Sequence, residues 1–208
     1  MNKNSKISFL DIVRAQRRHG NCTLLGVGPM SKNSVDTVIE IANERFVPIL
    51  LIPSRRQVEC SEFGGGYVNG WTTEDFAEYV RERDRFGYTI LCRDHGGPWQ
   101  NTFEMEGEFG LEEAMASAKR SYEVDILSDF KVIHLDPSVD PFGNPDIDEV
   151  LRRMFELLDF CVGVARTYGR QIYFEVGAEE TDGRIQDLKD FEYFLNSTRK
   201  FCENREYD

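Results

Sequence analysis

The chain has 208 residues, 25 Lys and Arg against 37 Asp and Glu, and a formal net charge of −12. That acidity argues against a nucleic-acid partner, which usually needs a basic face, and no apolar run is long enough to span a bilayer. With 40% hydrophobic residues there is enough apolar surface for one domain over 1–208 with a sizeable core.

Residues Met1 to Ser8 do not look like a signal peptide, and Cys22, Cys60, Cys92, Cys161 and Cys202 are scattered without Cys-x-x-Cys spacing. An odd, dispersed set of thiols without an export signal points to the reducing cytoplasm. Ser8 to His19 reads as a short amphipathic helix with Phe9, Ile12, Val13 and Gln16 on one face, ended by Gly20. The basic cluster Arg14, Arg17, Arg18 and His19 falls at its C-terminal end, where cations suit the helix dipole.

Cys22 to Val27 is a strand closed by Gly28 and Pro29, and Asn33 to Arg45 a helix with Val35, Val38, Ile39 and Ala42 at helical spacing. Val47 to Ile52 is a second strand, followed by Pro53-Ser-Arg-Arg-Gln57 and the glycines Gly64, Gly65 and Gly66. Thr72 or Thr73 caps a helix running towards Phe86. Tyr88 to Cys92 is a third strand, delivering Arg93, Asp94, His95 and two glycines. A loop from Trp99 to Gly110 leads to a helix from Leu111 to about Val124. Phe130 to Leu135 is strand four, Ile147 to Tyr168 a long helix, Gln171 to Val176 strand five, and Ile185 to about Asn204 a last helix.

Strand, loop and helix thus repeat five times, the pattern of parallel βαβ units. Every strand ends in polar or glycine-rich residues. A doubly wound sheet concentrates such residues at one switch point, so the expected class is α/β, a (β/α)8 barrel-like fold with about five βα units present. A complete barrel takes about 250 residues, so this domain would lack the last three units.

If the strands are parallel neighbours, Gly28, Ser54, Arg55, Arg56, Gln57, Asp94, His95, His134, Asp136, Glu175, Glu179, Glu180 and Asp182 all face one bowl. Arg55 and Arg56 beside Gly65 and Gly66 suit an anionic sugar phosphate, through a guanidinium fork and close backbone approach. The alternative is that the arginines pair with Glu59 or Glu62 and the glycines only make a turn. Gly28, Ser54 and Gln57 complete the candidate substrate-binding set. His95 and His134 with Glu175 have the residue types of a Zn²⁺ site, or His134 is a satisfied buried histidine. Asp94, Glu175 and Glu180 are candidate acid/base groups; the loop holding Glu179, Glu180 and Asp182 is otherwise a solvated turn. Nucleophile-elbow, dinucleotide and Walker motifs are absent from the sequence.

Four segments, Gly64 to Phe76, Arg93 to Trp99, Lys131 to Ser138 and Phe174 to Gly177, resemble the tagatose-bisphosphate aldolase Z subunit family. The resemblance implies a TIM barrel that is the non-catalytic partner of a class II aldolase. More distantly the same segments resemble catalytic class II aldolases, which would make Asp94 the proton-transferring acid and His95 a zinc ligand. Catalytic members take further zinc-binding histidines from strands six and seven, and phosphate-binding glycines from strands seven and eight; none of these has a counterpart here. The expected function is therefore a stabilising subunit in sugar-phosphate metabolism. The alternatives are a zinc-dependent ketose-bisphosphate lyase and a metal-free sugar-phosphate-binding module. Expected partners are a class II aldolase catalytic subunit, a phosphorylated sugar and, because an incomplete barrel leaves apolar edges uncovered, an oligomer.

Overall fold

The computed structural model describes residues 8–20, 23–177 and 188–207. Five parallel strands, β1 (Leu25–Val27), β2 (Ile49–Leu51), β3 (Thr89–Gly96), β4 (Val132–Leu135) and β5 (Tyr173–Val176), lie side by side in chain order. Seven helices are described: α1 (Phe9–His19), α2 (Lys32–Arg45), α3 (Thr73–Arg83), α4 (Thr102–Glu106), α5 (Leu111–Leu127), α6 (Ile147–Thr167) and α7 (Leu188–Asn204).

Alternation along the strands sorts side chains onto two faces. Ile49, Leu51, Leu91, Ile133 and Leu135 point outward and share one core with buried residues of α2, α3, α5, α6 and α7. Leu50, Ile90, Cys92, Val132 and Tyr173 point to the other face, where Phe9 and Ile12 of α1 meet them together with Leu24 and Ile52. Sequential strand order with all crossover helices on one face is the winding of a (β/α)8 barrel. A doubly wound sheet would reverse its order and carry crossovers on both faces. The chain therefore folds as five βα units of a barrel, with α1 lying against the inner face.

Capping residues set the helix starts. Ser31 and Ser34 form a reciprocal capping box on α2, Thr72 caps α3, and Asp146 caps α6, accepting from the Glu149 amide at 2.9 Å. Two expectations are corrected. The stretch from Trp99 to Gly110 is not all loop: Asn101 accepts the Glu104 amide at 2.8 Å and starts α4. Strand three does not stop at Cys92 but continues through Gly96. At the other end of the chain, α7 is held on α6 by the stacked rings of Phe155 and Phe201, with centroids 4.1 Å apart. Among the described residues no helix is long and apolar enough to cross a membrane.

Candidate functional site

The extension of β3 creates the geometry at the strand ends. Arg93 is opposite Ile133 and Gly96 opposite Leu135, so β3 spends one residue more than β4 over the same interval. That bulge falls at His95, whose φ of 41° is left-handed. Its amide donates not to the ladder but to Nδ1 of His134, at 3.2 Å. The His95 ring is turned outward and its Nδ1 lies 2.9 Å from Oδ2 of Asp136, one residue past β4. Burial pushes the Asp136 carboxyl up, but His95, Ser138 and nearby His134 outweigh it and hold it below the ordinary carboxylate range. Gln100 Nε2 donates to the same Asp136 oxygen at 2.8 Å. Asp94, 35% exposed, places its carboxylate 3.8 Å from His134 Nδ1. Glu175 sits opposite His134 in the β4–β5 register, exposed on the same face. Asp94, His95, His134 and Glu175 are thus brought together, as the sequence reading expects. Glu180, Glu179 and Asp182 lie outside the described residues.

The two glycines after His95 permit this closeness. A Cβ on Gly96 would lie 2.4 Å from Tyr122 Cε1 and 2.8 Å from the His134 carbonyl, and one on Gly97 would lie 2.1 Å from the Asp136 carbonyl. Tyr122 in turn donates to the His134 carbonyl at 3.0 Å, fixing β4 against α5.

The expected zinc site does not fit the described residues. An imidazole that accepts the His95 N–H at Nδ1 carries its proton on Nε2 when neutral, so His134 in this arrangement offers no lone pair to a metal. Among the described residues no three His, Cys, Asp or Glu gather as a metal-holding group.

The expected phosphate-binding role of Arg55 is also corrected. Its guanidinium is 0% exposed and donates to Glu59 (2.8 Å), Glu104 (2.7 Å), the Gly97 carbonyl (2.6 Å) and Ser117 (3.1 Å). Burial works against its charge, and Glu59 and Glu104 more than restore it. Burial also raises Glu59, but Arg55, Arg93, Asn101 and Ser121 pull it below the ordinary range. Glu104 remains above that range because burial outweighs Arg55 and Ser117. Every guanidinium nitrogen of Arg55 is engaged inside the protein, so Arg55 holds the loops together and does not face a phosphate.

Gly65 and Gly66 are likewise structural. Gly66 lies against the Gln57–Val58 backbone, where a Cβ would come within 2.1 Å of the Gln57 carbonyl, and its amide donates to Trp71. The Gly65 amide donates to Cys60. Both N–H groups are thus used within the loop. Gln57 ties the first two strand-end loops, accepting the Ser54 amide at 2.9 Å and donating to the Pro29 carbonyl at 3.0 Å. A Cβ on Gly28 would lie 3.5 Å from the Gln57 side-chain amide nitrogen. Gln57, Ser54 and Gly28 therefore shape the rim.

Arg93, which strand three delivers beside Asp94, is structural. It forms a bidentate pair with Asp125 (2.6 and 2.8 Å) and donates to the carbonyls of Pro53 and Val58 and to Thr73. Its position at a strand end beside Asp94 gave it the look of a site residue, but outward parity on β3 sends it into the helix layer. Arg56, adjacent to Arg55 in sequence, remains exposed at the mouth of a crevice of about 230 Å³ whose walls include Phe63, Tyr67, Thr102 and Phe103. A larger groove of about 490 Å³ runs between α2 and the segment after α3. It lies at the opposite end of the strands and mixes Glu40 and Glu44 with Arg83 and Arg85.

No family model and no curated protein matches the chain. Solved structures do. A provisionally assigned tagatose 6 phosphate kinase from Sinorhizobium meliloti 1021 superposes with a TM-score of 0.67 at 20% identity, over 89% of this chain and 46% of its own. A provisionally assigned fructose-1,6-biphosphate aldolase from Coccidioides immitis gives 0.54 at 17% identity, over 91% of this chain and 57% of its own. The chain spans about half the length of these structures. At such identities the likeness establishes the shared fold.

Proposed function

We propose that this chain works in sugar-phosphate metabolism as a non-catalytic, stabilising subunit of a class II tagatose-bisphosphate-type aldolase, one partial-barrel domain acting in the cytoplasm. One observation carries the reading. The groups that a phosphate-binding catalyst would present at these strand ends, the Arg55 guanidinium and the Gly65 and Gly66 amides, are spent on internal bonds. His134 is similarly committed to the His95 amide. A scaffold that keeps the strand ends rigid without offering their donors suits support of another subunit better than turnover. The sugar-phosphate setting draws on the resemblance of the four segments and on the names carried by both fold neighbours. Thiols that stay free at Cys60, Cys92, Cys161 and Cys202 accord with a reducing compartment.

A second reading, a ketose-bisphosphate lyase, draws on the His95–Asp136 pair. A half-exposed imidazole backed by a buried carboxylate, with Asp94 next to it in sequence, is a competent proton-transfer arrangement. Purification without chelator, zinc analysis and cleavage assays separate the two. The chain alone, a class II catalytic subunit alone and their mixture are each given tagatose 1,6-bisphosphate. The first reading expects no cleavage by the chain alone, and a gain in activity or melting temperature of the catalytic subunit on mixing. A mixture no different from its parts overturns it. Cleavage by the chain with stoichiometric zinc establishes the second reading instead.

A further inference from the structure

We propose that the crevice between the loop after β2 and α4 is a binding site for a small sugar monophosphate, with Arg56 taking the phosphate and Phe63, Tyr67 and Phe103 taking the ring. The choice of a sugar rests on the preceding function; the requirement for an anion joined to a ring does not.

The cation comes first. Arg56 is exposed, and among the described residues no carboxylate pairs with it, although most other arginines of this acidic chain are paired. Next to it, Arg55 is saturated by Glu59 and Glu104. Glu59, which with Arg55 also lines the crevice, is thus already compensated, and Arg56 supplies the further positive charge.

The aromatic surface is built and held. Tyr67 is 65% exposed and Phe103 51% exposed, large apolar areas left to water on one rim. Both are fixed in place. The Tyr67 amide donates to the Arg56 carbonyl at 3.0 Å, and the next rung, Val68 to Gln57, follows at 3.1 Å. Phe103 stacks on Phe63 with centroids 5.8 Å apart and meets the edge of Phe109 at 5.3 Å. Asn101, which starts α4 beneath Phe103, is itself bonded to Glu59 at 3.0 Å. The buried ion network therefore sets the distance between cation and rings, so little ordering is left to pay for on binding.

Size narrows the ligand. About 230 Å³ is room for roughly eight waters at ~30 Å³ each, too little for a dinucleotide and enough for one phosphorylated ring. The C–H face of a sugar suits an aromatic wall, its hydroxyls can reach the Thr102 side chain, and the phosphate can meet the guanidinium fork of Arg56.

The test is calorimetric titration of the full chain with fructose 6-phosphate, inorganic phosphate and fructose. Fructose 6-phosphate should bind. Phosphate and fructose alone should each be at least tenfold weaker. Arg56→Gln should weaken the sugar phosphate about tenfold or more, and Phe103→Ser or Tyr67→Ala several-fold. All three side chains are exposed, so circular dichroism and melting of the variants should match the parent. Phosphate binding as tightly as the sugar phosphate overturns the role of the rings, and an unchanged affinity in Arg56→Gln overturns that of the cation. Absence of any binding removes the site altogether. The stabilising function is read separately, by mixing with the catalytic subunit, and Arg56→Gln would still support that subunit if only this proposal fails.

Discussion

Replacing Arg93 by Met tests whether buried charge pairing holds the strand-end loops in place. Arg93 and Asp125 are both 0% exposed, and the arginine also serves the Pro53 and Val58 carbonyls and Thr73. Methionine fills much of the same volume but leaves Asp125 as an uncompensated carboxylate, at a cost of about 3–5 kcal/mol. The carbonyls that lose their donor add to this, and because the terms overlap the whole effect should be about 4–6 kcal/mol. For a domain of this size that corresponds to a fall in melting temperature of roughly 10–20 °C, a large part of the ~5–15 kcal/mol that such a fold possesses. The assay is urea unfolding followed by circular dichroism, with Arg93→Met/Asp125→Leu alongside. Removing both charges should recover at least half of the loss. A single variant costing less than about 1 kcal/mol, or a double variant no more stable than the single, would refute the claim that pairing of this buried charge matters.

Other outcomes follow from the same structure. Arg55→Ala should lower stability by about 3–5 kcal/mol, through the stranded Glu59 and Glu104; a normal melt would return Arg55 to the list of ligand-binding groups. Gly96→Ala should cost about 1–3 kcal/mol by driving a Cβ into Tyr122. Gly163→Ala, in mid-α6 with nothing within 4 Å of the added carbon, should gain about 1 kcal/mol. Equal melting of these two glycine variants would contradict the packing described. Stability should vary with pH in two directions. Glu104 is raised in the fold, so the folded state binds its proton first and stability should climb as pH falls from neutral towards 4.5. Glu59 and Asp136 are lowered, so their contributions are present above 4.5 and 3.8 and are lost as pH falls below those values. Denaturation midpoints across this range should pass through a maximum, and a monotonic decline would contradict the assignment of Glu104.

Much of this architecture was written in the spacing of apolar residues. Five strand–helix repeats and the polar strand ends were enough to choose a barrel over a doubly wound sheet, and the ladder order agrees. Asp94, His95, His134 and Glu175 gather as their strand-end positions require. What the sequence concealed was direction. Arg55 and Arg56 are neighbours, yet one is buried and the other exposed; the one available hint was Glu59, a helical turn beyond Arg55. The bulge at His95 changes which way β3 side chains face, and nothing in an Asp-His-Gly-Gly string announces an extra residue. Asp136 lies two positions after His134 and could have been paired with His95 only once that bulge was known. Asn101 and Glu104 form the start signal of α4, but a helix of only five residues is too short for apolar spacing to reveal it.

The position of α1 has a consequence for how the protein is made. Phe9 lies 5.1 Å, centroid to centroid, from Tyr173 on β5, and Ile12 packs among Ile90, Cys92 and Val132. α1 therefore waits for a docking surface that is completed roughly 150 residues later, an interval of about 8–30 s at ordinary elongation rates. During that interval its apolar stripe meets the inner sheet face only strand by strand, Ile90 and Cys92 first, then Val132 and last Tyr173. Full seating of α1 thus comes after β5 is made, and the partly built inner face is most exposed to chaperones, or to aggregation, before it.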